Sequence, residues 1–212
     1  VVSQQESVSG INDVITADLE SDGDLDLVFA TDTGMTLWQN TDGTNFVNAN
    51  EYANLPEQAI QHIALADWDR NIAMDVICVP AAEGEAGLLQ NIMHGRFRWL
   101  EADLGLAGVP ADSSIVVDQL DGAGAWDLVI AGPSGLSVLT TSGGGDTQVK
   151  QRAMISLTED AVVDARIADL DNDGLSDIVA WSNVGIQFFR GTGGGQFEDL
   201  SNLLPEVSDI AS

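Results

Sequence analysis

Positive charge is scarce in this sequence. Lysine occurs once, at Lys150, and seven basic residues stand against 34 acidic ones. The formal net charge is −27. A surface of that sign repels phosphate backbones and anionic lipid, which argues against a nucleic-acid binder and against an anionic membrane surface. Cysteine is nearly absent as well, with Cys78 alone. One cysteine allows no internal disulfide, and with two histidines there is no Cys/His zinc spacing. Cys78 lies in the apolar run Asp75-Val76-Ile77-Cys78-Val79, where a buried, inert thiol is expected. No apolar run approaches the ~18 residues of a membrane span. No Asn-x-Ser/Thr glycosylation acceptor is present. The chain opens Val1-Val2-Ser3, which reads as a processed chain or a piece of a longer one, so targeting is not legible in it.

Apolar residues and glycine are plentiful. Hydrophobic residues make up 44% of the 212, enough for a packed core and too many for a disordered acidic tail. The 22 glycines point to many tight turns.

The acidic residues are gathered into a repeat. Four segments align: 17–28, 66–77, 118–129 and 168–179. Their loops start at Asp18, Asp67, Gln119 and Asp169, with separations of 49, 52 and 50 residues. A period of that size indicates a solenoid, propeller or array. Each unit has an apolar lead-in, an acidic loop, a β-rich run, a Gly turn, a second strand, and a turn rich in Gly, Asn or Asp. Examples of the last turn are 40–43, 142–145 and 192–195; the chain then restarts on an aromatic, Phe46, Phe97 or Phe197. This is strand–turn–strand punctuation, and four short strands in about 50 residues make one propeller blade. Helical periodicity is weak, with the best stretch at 200–206, limited by Pro205. The reading is an all-β chain, a single β-propeller region over 1–212, with repeats at 11–58, 59–110, 111–160 and 161–212.

The acidic loops have the pattern of a metal site. In the first, carboxylates fall at positions 1, 3, 5 and 9 as Asp18, Glu20, Asp22 and Asp26; in the fourth they are Asp169, Asp171, Asp173 and Asp177. Gly23 and Gly174 at position 6 permit a sharp turn, and Asp24 or Leu175 at position 7 offers a backbone carbonyl. Alternate oxygens on a curled loop converge on one centre, and a hard cation taking six to eight oxygens at about 2.3–2.6 Å fits, so calcium is expected. An EF-hand fails, because it needs Glu at position 12 and flanking helices, whereas Phe29 and Ala180 stand there beside strand-like runs. Unfilled, such a loop is costly, since paired carboxylates repel by roughly 1 kcal/mol at 4 Å even in water. The second loop keeps Asp67, Asp69, Asn71 and Asp75, with Ala73 at position 7, but Ile72 replaces the Gly and strains the turn. The third, with Gln119 and Ala123 at positions 1 and 5, retains only Asp121 and Asp127 and reads as a turn that has lost its metal.

The segments Asp-Leu-Glu-Ser-Asp-Gly-Asp-Leu-Asp at 18–26 and Asp-Leu-Asp-Asn-Asp-Gly-Leu-Ser-Asp at 169–177 resemble FG-GAP/VCBS repeats. That resemblance implies integrin-α-like propellers of seven or eight blades with calcium held in the Asp loops, so the chain is expected to be part of a larger ring. The segments 88–91, 95–97 and 194–200 are similar to the cartilage-acidic-protein-like (ASPIC/UnbV) proteins. The final segment 209–212 falls where a fifth blade's first strand would start, and residues 1–10 read as the tail of an earlier unit. Further blades or a partner chain are therefore expected to complete the propeller.

The function expected is a non-catalytic calcium-binding scaffold for protein–protein or cell-surface contacts, with another protein or a glycan as partner. The alternatives are a carbohydrate-binding or polysaccharide-degrading propeller and a structural subunit of a larger assembly. Two histidines, one tyrosine and one lysine are thin material for a lyase. His62 and His94 read as structural, and Arg96 and Arg98 share one strand face, as an edge-strand or salt-bridge pair. The five tryptophans read mainly as packing. Calcium loops of modest affinity fill where calcium is millimolar, which places the chain outside the cytoplasm: extracellular, cell-surface or periplasmic.

Overall fold

The computed structural model describes residues 7–81, 86–100, 109–142 and 150–205. The first blade is β1 (Ile11–Ala17), β2 (Asp26–Thr31), β3 (Gly34–Asn40) and β4 (Phe46–Asn48). The second is β5 (Ile60–Ala66), β6 (Asp75–Pro80), β7 (Gly87–Asn91) and β8 (Phe97–Leu100). The third is β9 (Ser114–Asp118), β10 (Asp127–Gly132), β11 (Gly135–Ser142) and β12 (Lys150–Thr158). The fourth is β13 (Asp164–Ala168), β14 (Asp177–Ser182), β15 (Gly185–Gly193) and β16 (Gln196–Asp199). Each set forms one four-stranded antiparallel meander in sequence order. First strands pack side by side, β1 on β5, β5 on β9 and β9 on β13, so the four sheets are arranged as blades of a β-propeller.

The apolar pattern explains the stacking. The middle strands β6 and β10 are buried at every residue, because each lies in a blade covered on both faces. In β2 and β14 burial alternates along part of the strand, since those blades are covered on one face. Three clusters of buried side chains fill the three gaps between consecutive blades. Fully burying one Leu, Ile or Phe contributes about 1.5–3 kcal/mol, so these clusters hold the blades together.

Two local features differ from expectation. A single α-helical turn, Asn50–Ala53, follows β4, and its Ala53 is buried in the first gap. It goes unannounced because four residues are too few to show a helical period. The stretch expected as helix shortens to a 3-10 turn at Ser201–Leu203. The Gly143–Gly145 turn, the segment 209–212 and most of the N-terminal tail (1–6) lie outside the described residues.

Candidate metal centre

All four acidic loops share one backbone path. Position 4 is left-handed in each, at Ser21, Arg70, Gly122 and Asn172, and so is position 6, at Gly23, Ile72, Gly124 and Gly174. A Cβ at Gly23 or Gly174 would meet nothing within 4 Å, so glycine is there for its backbone freedom. Ile72 takes φ 80°, which a β-branched residue adopts only with strain.

Position 9 ties the loop to its blade. Asp26, Asp75, Asp127 and Asp177 are all fully buried. In each, Oδ2 accepts the backbone N–H of position 2: Leu19 at 3.0 Å, Trp68 at 2.9 Å, Leu120 at 2.8 Å and Leu170 at 2.9 Å. Oδ1 accepts an N–H from the blade's third strand: Asn40 at 2.9 Å, Asn91 at 2.7 Å, Thr141 at 2.8 Å and Gly191 at 2.8 Å. Asp127 accepts a third N–H, from Asp121 at 3.0 Å. The position-9 carboxylate is thus a fastener in every blade, including the third, where the other metal-type residues are mostly gone.

Position 1 curls the loop. Asp18 accepts the N–H groups of Asp22 and Gly23, both at 3.0 Å, and Asp169 those of Asp173 at 3.1 Å and Gly174 at 3.0 Å. Asp67 accepts the N–H of Ile72 at 3.1 Å. Position 5 continues the curl, with Asp22, Asn71 and Asp173 each accepting the N–H of position 7: Asp24, Ala73 and Leu175.

Two loops bring three carboxylates together. Asp67, Asp69 and Asp75 each offer an oxygen within 4.8 Å of the others, and Asp169, Asp171 and Asp177 do the same. Asp173 stands beside the second group as the acceptor already described. In the first loop, among the described residues, no three acidic, His or Cys ligand atoms approach that closely. There the longer Glu20 reaches to the Gln39 side-chain amide, which in turn accepts the Tyr52 hydroxyl.

The electrostatics record the crowding. Burial, followed by Asp26 and Asp22 nearby, pushes Glu20 up to about 7 against the Gln39 hydrogen bond. Burial, followed by Asp69, pushes Asp75 up to about 6 against the Asn91 N–H. Burial also raises Asp127. Two carboxylate oxygens, Asp67 Oδ1 and Glu20 Oε2, are buried without a hydrogen-bond partner among the described residues. A buried unpaired acceptor is costly and calls for a counter-charge, so the donor set fits a hard cation.

Gln39 and Gln90 were missed by the sequence reading. Each is the penultimate residue of a third strand and donates its amide to the position-3 carboxylate, Glu20 or Asp69. The recurrence of Gln-Asn at 39–40 and 90–91 is the signal that could have found them. The residues considered for other chemistry have structural partners. His62 Nδ1 lies 3.6 Å from Asp13, and His94 Nδ1 lies 3.1 Å from the Glu20 carbonyl. Arg98 donates to Gln90, while Arg96 and Arg98 are both exposed. Trp68 and Trp126 pack in the second gap, and the Trp126 indole donates to the Asp67 carbonyl at 2.7 Å. Cys78 is buried, and burial pushes its thiol well up.

The family model described as FG-GAP-like repeat matches residues 18–78 and 119–180. No curated protein matches the chain. Several solved structures share the fold. One is an Agrocybe aegerita lectin, solved for its specific recognition of non-reducing terminal N-acetylglucosamine: 20% identity, TM-score 0.60, 90% of this chain and 52% of that one. Another is BBS1N in complex with ARL6DN: 18% identity, TM-score 0.52, 90% of this chain and 58% of that one. The third is the Photorhabdus luminescens Tc holotoxin pore: 19% identity, TM-score 0.50, all of this chain and 10% of that one. The chain thus spans little more than half the length of the first two.

Proposed function

This chain belongs to the FG-GAP-like repeat family, and on that premise we propose that it is a non-catalytic, calcium-binding β-propeller scaffold mediating protein–protein or cell-surface contacts. The observation that carries the calcium is the convergence of Asp67, Asp69 and Asp75, and of Asp169, Asp171 and Asp177, with the buried Asp67 Oδ1 of the first group lacking a hydrogen-bond partner among the described residues. Calcium fits better than magnesium, which keeps more of its water and takes fewer protein oxygens. Carbonyls at position 7, from Asp24, Ala73 and Leu175, are the expected additional ligands. Sites of this kind fill at millimolar calcium, so the reading carries with it a place outside the cytoplasm.

The non-catalytic reading is supported by how the polar side chains are used. Arg166 pairs with Asp164 and Arg190 with Glu198, and the two histidines have the neighbours given above. A second reading keeps the scaffold and takes a glycan as ligand; its support is that a lectin shares the fold, and a glycan-array screen addresses it. The likeness of 88–91, 95–97 and 194–200 to the ASPIC/UnbV subgroup rests on those residues alone.

Calorimetric titration of the chain with calcium tests the main reading. At least two ions are expected to bind, and Asp171→Ala is expected to remove one. Absence of saturable binding at millimolar calcium would overturn it.

A further inference from the structure

The acidic loops of blades one to three are each bonded by the blade that follows. The first is held by the β7–β8 turn, where Gly95 donates to the Leu19 carbonyl at 3.0 Å and His94 Nδ1 lies 3.1 Å from the Glu20 carbonyl. The third is held by blade four, where Gly195 donates to the Leu120 carbonyl at 3.2 Å and the Ser176 hydroxyl to Asp118 at 2.6 Å. The second loop meets the third directly. The indole of Trp126, at position 8 of the third loop, donates to the Asp67 carbonyl at 2.7 Å. That carbonyl also accepts the Arg70 N–H of its own loop at 3.4 Å, so the shorter bond is the one that crosses between blades.

Loop two has a weaker hold on its own first residue than loops one and four have. In those two, the position-1 carboxylate uses both oxygens within the loop: Asp18 Oδ1 and Asp169 Oδ1 accept the N–H of position 5, and each Oδ2 accepts that of position 6. In loop two, Asp67 Oδ2 accepts the Ile72 N–H, but the Asn71 N–H turns to Asp69, and Asp67 Oδ1 is buried with no partner among the described residues. Position 6 is moreover Ile72, at φ 80°, where the other two loops have Gly23 and Gly174. A strained turn with one bond fewer needs an anchor from outside. Trp126 supplies it from a fixed frame. Its ring packs with Trp68 in the second gap, its carbonyl accepts the Thr141 hydroxyl at 2.6 Å, and the next residue is the buried fastener Asp127.

We propose that Trp126 is a positioning residue for the second metal site, and that the third loop, short of metal ligands itself, serves as that site's clamp. This rests on the calcium reading and adds which residue outside the second loop sets its affinity. Asp67 Oδ1 is a candidate ligand that its own loop leaves unheld. Its aim therefore depends on the main chain at Asp67, and Trp126 fixes that main chain. Removing an outer partner of this kind typically lowers metal affinity by about 10–100-fold. Calcium at loop two and the packing of blade three on blade two are accordingly coupled, because both act on Asp67.

Stepwise calcium titration by calorimetry checks this, with Asp69→Ala and Asp171→Ala identifying the binding steps of the second and fourth loops. Trp126→Phe keeps an aromatic ring in the gap and deletes the donor. It is expected to weaken the second loop's step about tenfold and to leave the fourth loop's step unchanged. Adding Ile72→Gly, which relieves the turn, is expected to recover most of the lost affinity. A Trp126→Phe protein that titrates as the wild type does would overturn the proposal and leave the calcium reading intact. So would equal weakening of both steps, which is what a general loss of packing gives, or no recovery on adding Ile72→Gly, or a titration that Asp69→Ala leaves unaltered. A wild type that binds no calcium would overturn both.

Discussion

At the residue scale, the same loop path is held by different side chains in four places, and the differences are informative. Ile72 occupies a left-handed position that Gly23, Gly124 and Gly174 occupy freely. Its side chain is 88% exposed, so little burial is lost on removing it. Ile72→Gly is therefore expected to stabilise the protein by about 1 kcal/mol, the strain released on leaving the left-handed region less the added flexibility of the unfolded chain. Equilibrium urea unfolding in chelator checks this. The strain at this position was legible in the sequence, because the nonapeptide frame marked Ile72 as the odd residue. The double role of position 9 was not legible. An aspartate in register reads as a ligand, and nothing in its identity shows that both its oxygens already accept backbone N–H groups.

At the element scale, that fastener decides how each loop sits on its blade. Asp127 is the clearest case, since the third loop has lost carboxylates at positions 1 and 5 yet keeps this one buried with three N–H donors. Asp127→Ala leaves those donors without a partner and is expected to cost about 3 kcal/mol or more, at 1–3 kcal/mol for each unsatisfied buried group. The loss is expected to be equal in chelator and in calcium, which separates a fastener from a ligand. Thermal or urea unfolding of the variant under both conditions gives the comparison. The blades themselves were legible, because turn chemistry and apolar runs recur with a fixed period. The helical turn at Asn50–Ala53 was not, because it is stabilised by Ala53 entering the first gap rather than by local pattern.

At the scale of the whole molecule, the repeat gives the stacking of the blades. The sequence shows four copies of one motif; it does not show which strand positions face forward and which face back, because both sets are apolar in β6 and β10. Only the contrast with the half-covered strands β2 and β14 separates them. The loops are likewise a collective charge problem. Glu20, held up at about 7, and Asp75, at about 6, are both raised chiefly by burial. A raised folded-state carboxylate binds more protons than its unfolded counterpart, so its contribution to stability is complete below the unfolded value and is lost as pH rises through the folded one. Without calcium, stability is expected to fall between about pH 4 and pH 7 on this account. Calcium competes with those protons, so its effect is greatest once the carboxylates are ionised.

The most direct test of the central claim, that the acidic loops bind calcium in the folded protein, is a thermal melt at pH 5 and pH 8, each in chelator and in millimolar calcium. A ligand confined to the folded state at ~100 times its dissociation constant adds about 2.7 kcal/mol. The account predicts a Tm in chelator that is lower at pH 8 than at pH 5, and a calcium-induced rise that is larger at pH 8 and reduced by Asp171→Ala. A Tm indifferent to calcium at pH 8 would contradict it.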